Sequence, residues 1–148
     1  MRKLKVLLAR PLRRLRRWRT EPDPDGDKWE FLHQGLAAAD RDGRWDLAIC
    51  AIFKDEAEYL REWIEFHRIV GVEKFILFDH GSTDGSAEVL APYVATGVVT
   101  VYPWPITVSP QGRAYNKCLE LYRDRIRWLA FLDIDEFVNV HVGDRTVQ

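Results

Sequence analysis

Leu47-Ala48-Ile49-Cys50-Ala51-Ile52-Phe53 is an unbroken apolar run, closed by Lys54-Asp55-Glu56. Such a run fits a strand buried on both faces, the habit of a parallel sheet. The period then changes. Across Glu56–Val70, Leu60, Trp63, Ile64, His67 and Val70 fall on one helical stripe, with Glu58, Arg61, Glu62, Glu65 and Arg68 opposite. Gly71 fits the C-terminal cap of that helix. His67, on the apolar stripe, reads as a satisfied core histidine.

The alternation repeats further along. Lys74–Asp79 is a second apolar strand, and Gly85–Thr96 reads as a helix broken or ended around Pro92. Val98–Trp104 is a third strand. A proline-rich loop, Pro103–Pro110, leads to a helix over Gln111–Arg125, and Arg127–Asp133 is a fourth strand. Strands alternating with helices predict an α/β fold, an open, mostly parallel Rossmann-like sheet with right-handed crossovers. Ligands of such sheets bind beyond the carboxyl ends of the strands, near the switch in strand order.

Those ends are acidic. The first strand ends in Lys54-Asp55-Glu56, the second in Asp79-His80-Gly81-Ser82-Thr83-Asp84, and the fourth in Asp133-Ile134-Asp135-Glu136. Helix caps and turns account for part of this, since Thr83 and Asp84 suit the start of the next helix. No GxGxxG follows the first strand and no GxxxxGK[ST] occurs, which argues against dinucleotide and P-loop folds. A receiver domain needs an Asp closing the third strand, where this chain has Trp104-Pro105. Asp133 and Asp135, two apart in extended chain, point the same way. Two hard oxygen ligands on one side suit Mg²⁺ or Mn²⁺, which can bridge to a diphosphate. His80 is a candidate for the edge of such a site.

Charge is segregated. The 148 residues carry a net charge of −1, yet residues 1–19 hold nine Lys/Arg and no acid, leaving 13 basic against 23 acidic residues elsewhere. The acidic body argues against a nucleic-acid face. In the basic tail, Leu4, Leu8, Leu12, Leu15 and Trp18 recur at helix-like spacing, interrupted by Pro11, so residues 1–19 read either as a segment in peripheral contact with an anionic membrane or as a plain disordered basic tail. Residues 20–45 read as a polar linker with a short helix near Trp29–Ala39. The two cysteines, Cys50 and Cys118, sit in apolar segments and read as small buried hydrophobes. No apolar run suits a membrane span or a signal peptide, so the expected compartment is the cytoplasm, at the inner face of the membrane.

Several blocks in order resemble glycosyltransferase family 92, a GT-A-fold group related to glycosyltransferase family 2. They are Ile49–Leu60, Glu62–His67, Asp79–Ser86, Ala114–Leu119 and Trp128–Phe137. The resemblance implies that residues 46–148 form a nucleotide-sugar-binding GT-A domain. It implies that Asp133 and Asp135 hold Mn²⁺ against the donor diphosphate and that Asp79 reads the nucleobase or ribose. Asp55 and Glu56 would line the nucleotide pocket, with Asp84 in the turn beside it. Gln111, Arg113 and Asn116 would face the donor from the third helix, and Lys54 and Ser82 complete the donor-binding set.

The activity implied is metal-dependent transfer of a hexose, such as galactose, from a UDP-sugar to a glycan or lipid-linked hydroxyl. The alternative is a non-catalytic nucleotide-sugar-binding module. The resemblance places the acceptor site and the catalytic base after the Asp-x-Asp, where about a dozen residues remain. The chain therefore reads as a donor-binding half, incomplete at its C-terminus and inactive alone, with no assignable catalytic residue. Glu136–Val142 would add an edge strand, bringing His141 toward the metal.

Overall fold

The structure is a computed structural model that describes residues 44–138. The expectations for residues 1–19, for the linker and its helix at Trp29–Ala39, and for His141 and most of the Glu136–Val142 strand lie outside the described residues.

Four strands and three helices alternate: β1 (Trp45–Phe53), α1 (Ala57–Ile69), β2 (Lys74–Asp79), α2 (Ser86–Ala95), β3 (Val99–Pro103), α3 (Pro110–Tyr122) and β4 (Ile126–Phe131). The sheet order is β3-β2-β1-β4 and every pairing is parallel. The first two crossovers step outward, from β1 to β2 to β3. The third returns past both to place β4 on the far side of β1. Strand order therefore reverses between β1 and β4.

The apolar run at β1 serves both faces, as its lack of alternation requires. Leu47, Ile49, Ala51 and Phe53 pack with Leu60, Trp63 and Ile64 of α1 and Leu90 of α2. Ala48 and Cys50 pack on the other face with Ala114, Cys118 and Tyr122 of α3. Both cysteines are free and buried. Reversing the direction of crossover while keeping its hand moves α3 to the opposite face. The charge at the start of β2 is a buried exception. Lys74 Nζ donates to Gly97 O at 2.6 Å and lies 5.2 Å from the Trp45 ring centroid.

Helix α1 ends as the glycine predicts. Gly71 adopts φ +105, with Val72 N–H donating to His67 O and Gly71 N–H to Arg68 O. These are the paired bonds of a Schellman ending. Helix α2 begins on Gly85 at φ +90, where an added Cβ would meet only Glu88 Oε2, at 3.6 Å. Space is available there but the conformation is costly for any L side chain. Gly85→Ala is expected to lower stability by about 1–2 kcal/mol. Urea unfolding checks this, and an unchanged midpoint would contradict it.

Several boundaries differ from expectation, three of them at element ends that matter here. Helix α2 runs through Pro92 to Ala95, with the proline on an exposed position. Helix α3 stops at Tyr122, because Arg125 N–H turns back to Tyr122 O at 2.9 Å. Strand β4 stops at Phe131, so Asp133 and Asp135 do not lie in extended strand. They sit in a turn closed by Glu136 N–H on Asp133 O at 3.0 Å. The expected sidedness nevertheless holds: Leu132 and Ile134 are buried, whereas Asp133 and Asp135 are exposed.

Candidate functional site at the strand-order switch

A crevice of about 660 Å³ opens where β1 and β4 end side by side. This is the switch point at which open parallel sheets bind ligands. The end of β1 supplies Ile52, Phe53, Lys54 and Glu56, and Tyr59 follows one turn into α1. The turn after β4 supplies Asp133, Ile134 and Asp135. His80 enters from the end of β2, and Pro110 and Gln111 from the start of α3.

The polar groups of this wall are organised. Gln111 Nε2 donates to Asp133 Oδ1 at 3.1 Å and lies 2.9 Å from the Tyr115 hydroxyl oxygen. Burial, the main cause, pushes the Tyr115 phenol up to about 12, which keeps it protonated. His80 Nδ1 lies 2.9 Å from Trp104 O. A carbonyl can only accept, so Nδ1 carries the proton and the neutral ring has its lone pair at Nε2. Loss of hydration raises the Glu56 carboxyl above its ordinary range, and the negative charges of Asp135, Asp84 and Asp55 raise it further. Lys54 is an exposed cation on the same wall.

Other residues expected at the donor make hydrogen bonds within and between the loops. The loops after β1 and β2 clamp each other. Asp55 N–H donates to Ser82 Oγ at 2.9 Å, and Thr83 N–H donates to Asp55 Oδ1 at 2.7 Å. Asp55 holds φ 55, a left-handed conformation that Asp tolerates better than most residues. Asp79 Oδ1 accepts from Ser82 N–H at 2.8 Å, and Asp79 faces a second cavity between α2 and β3. Asp84 Oδ2 accepts from Ala57 N–H at 2.8 Å, capping α1 from the neighbouring loop, while its Oδ1 accepts from Ser86 Oγ at 2.6 Å.

Lys54, Glu56, Gln111, Asp133, Asp135 and His80 thus share one crevice. Asp55, Asp79, Ser82, Asp84, Arg113 and Asn116 do not line it. Arg113 is half-buried on α3, and Asn116 is exposed there. Tyr59 is the wall residue that reading by strand ends misses. Its spacing of three from Glu56 puts it on the same helical face.

The Asp84 cap carries a pH dependence. The Ser86 hydroxyl, then the Ala57 amide, hold its carboxyl below the ordinary range. Its stabilisation is therefore complete above the unfolded value, about 3.9, and is lost as pH falls through the lower folded value. Asp84→Asn is expected to be less stable than wild type at pH 7, with the gap narrowing in acid. Urea midpoints at both pH values check this, and a gap independent of pH would contradict it.

An open parallel α/β sheet with a polar, carboxylate-bearing crevice at its switch point is an architecture that binds ligands beyond the carboxyl ends of its strands. The sequence profile of glycosyltransferase family 92 matches residues 46–148, and the chain belongs to that family. A rice family 92 protein, Os08g0121900, is 35% identical over 103 residues, covering 69% of this chain and 17% of the rice protein. A castor bean family 92 protein, RCOM_0530710, is 32% identical over 96 residues, 64% of this chain and 16% of that protein. The galactan beta-1,4-galactosyltransferase GALS2 of Arabidopsis thaliana is 37% identical over 90 residues, 55% of this chain and 17% of that enzyme. The chain thus spans 16–17% of the length of these three relatives.

Proposed function

We propose that the crevice binds the nucleotide diphosphate of a UDP-sugar, and that the chain is the donor-binding part of a transferase. The transfer would move a hexose to a hydroxyl of a glycan or lipid-linked acceptor. The galactosyltransferase names among the relatives support galactose as that hexose. One observation carries the reading: Asp133 and Asp135 are exposed on one wall of the crevice, with Lys54 and Gln111 beside them.

The donor set fits a divalent cation of the Mn²⁺ or Mg²⁺ kind. Among the described residues, no group of three His, Cys, Asp or Glu side chains forms a metal cage. Two carboxylates suffice for a hard cation that takes its other ligands from phosphate and water. Such an ion, held by Asp133 and Asp135, would offset the charge that develops on the leaving diphosphate. Gln111 would orient the Asp133 carboxylate, and Lys54 would face the phosphates. Glu56, whose carboxyl is raised first by loss of hydration and then by its acidic neighbours, would gain from the same cation. His80 Nε2 and the Tyr59 ring offer an acceptor and a flat apolar face to the nucleoside.

Residues 1–19 extend the reading to the inner face of an anionic membrane. Their cations and their Leu and Trp stripe support peripheral contact. No helix among the described residues is long and apolar enough to cross a membrane.

Calorimetric titration of the chain with UDP tests the proposal. Heat of binding is expected with Mn²⁺ present and is expected to vanish with EDTA. Absence of UDP binding at any Mn²⁺ concentration would overturn it.

A further inference from the structure

Two buried side chains of α1, neither of them on the crevice wall, reach the turn that bears the acidic pair. Trp63 and His67 are both fully buried. Trp63 Nε1 donates to Glu136 O at 2.8 Å, and Val138 N–H donates to His67 Nε2 at 3.3 Å. Between these bonds, the Phe137 ring stacks on His67 at 5.7 Å and 13° and meets Phe66 edge-on at 5.0 Å. Glu136 also ties the turn internally, since Asp133 N–H donates to Glu136 Oε2 at 3.1 Å. The short segment after β4 is thus fastened to α1 at Glu136, Phe137 and Val138.

The histidine is committed to one protonation pattern. His67 Nδ1 lies 2.7 Å from Trp63 O, which can only accept, so Nδ1 carries a proton. Val138 N–H can only donate, so Nε2 presents its lone pair. The two bonds require the neutral Nδ1–H tautomer. A plain core position would not need this tautomer, nor a histidine.

We infer that His67 is a positioning residue, which together with Trp63 locks the Asp133–Val138 turn so that both carboxylates stay on the crevice wall. The inference rests on the donor-site reading for its consequence but not for its geometry. A lock on ligand-bearing backbone acts as outer-shell partners of metal ligands do, where loss costs about 10–100-fold in metal affinity.

The test uses the ¹⁵N-labelled full chain and two variants. In wild type, long-range ¹H–¹⁵N spectra are expected to show His67 neutral, with the proton on Nδ1. His67→Phe keeps a ring to stack on Phe137 but has no acceptor, whereas His67→Gln offers an acceptor oxygen. In His67→Phe, amide exchange at Glu136 and Val138 is expected to rise at least tenfold while β1 and β2 amides hold. Mn²⁺-dependent UDP affinity is expected to fall by about tenfold or more. His67→Gln should restore part of both.

An Nε2–H tautomer in wild type overturns the inference. So does His67→Phe with unchanged exchange, or with faster exchange and unchanged affinity. Should His67→Phe fail to fold, Trp63→Phe removes the Nε1 donor together with part of the buried ring system, and unchanged exchange at Glu136 in that variant overturns the lock. If wild type binds no UDP, the donor-site reading fails by itself, and tautomer and exchange still decide the lock.

Discussion

Asp133→Ala combined with Asp135→Ala is expected to weaken Mn²⁺-dependent UDP binding more than about 100-fold, with little change in stability. Substitution of outer-shell partners alone costs about 10–100-fold in metal affinity, and removing both carboxylates removes the protein's own ligands. Stability is spared because both side chains are exposed and the turn's backbone bond, Glu136 N–H to Asp133 O, does not involve them. The neighbouring Leu132 and Ile134 anchor the turn in the apolar core that contains Ile49 and Leu60. Calorimetry and thermal unfolding of the same sample check both halves. Intact affinity in the double variant would dismiss the metal-site reading even if UDP binds elsewhere.

Phe75→Ala is expected to produce the largest loss of stability, about 3–5 kcal/mol. Phe75 has no exposed surface near the start of β2, in register with Ile49 on one side and Val99 on the other. Its ring lies 5.5 Å from that of Trp63 on α1. Truncation would open a void that close-packed neighbours fill only in part. Domains of this kind are stable by about 5–15 kcal/mol, so the loss would consume much of the margin. Tyr59→Ala is the control, since Tyr59 is 53% exposed and its removal should stay within about 0.5 kcal/mol. Urea midpoints compare the two, and a Phe75→Ala loss below 1 kcal/mol would contradict this view of the core.

Much of the fold could be read from period alone. The unbroken apolar run at Leu47–Phe53 announced a strand covered on both faces, and Ile49 and Cys50 indeed meet different helices. Periodicity could not place β4 beside β1. Both faces of β1 are equally apolar, so nothing in their composition says which crossover returns. The position of the switch point, and with it the crevice, is a property of the assembled sheet.

The lining of the crevice was legible where residue type and strand end coincide, at Lys54, Glu56, Asp133 and Asp135. Asp55, Ser82 and Asp84 lie outside that lining and tie loops together instead. Short polar side chains serve loops and ligands with the same atoms, and here they clamp two loops that lie 27 or 28 residues apart in sequence. The extended-chain argument for Asp133 and Asp135 reached the right sidedness from the wrong backbone. A turn held by Glu136, not a strand, points them outward.

Paramagnetic broadening by Mn²⁺ in the presence of UDP tests the central claim most directly. The ion's effect falls steeply with distance, so the ¹H–¹⁵N spectrum of the labelled chain reports where it sits. Amides of Asp133–Glu136, Lys54–Glu56 and Gln111 are expected to broaden first, while those of β3 at Val99–Val101 stay sharp. Broadening centred elsewhere on the sheet, or none with UDP and Mn²⁺ both present, would contradict a donor site at the β1–β4 switch.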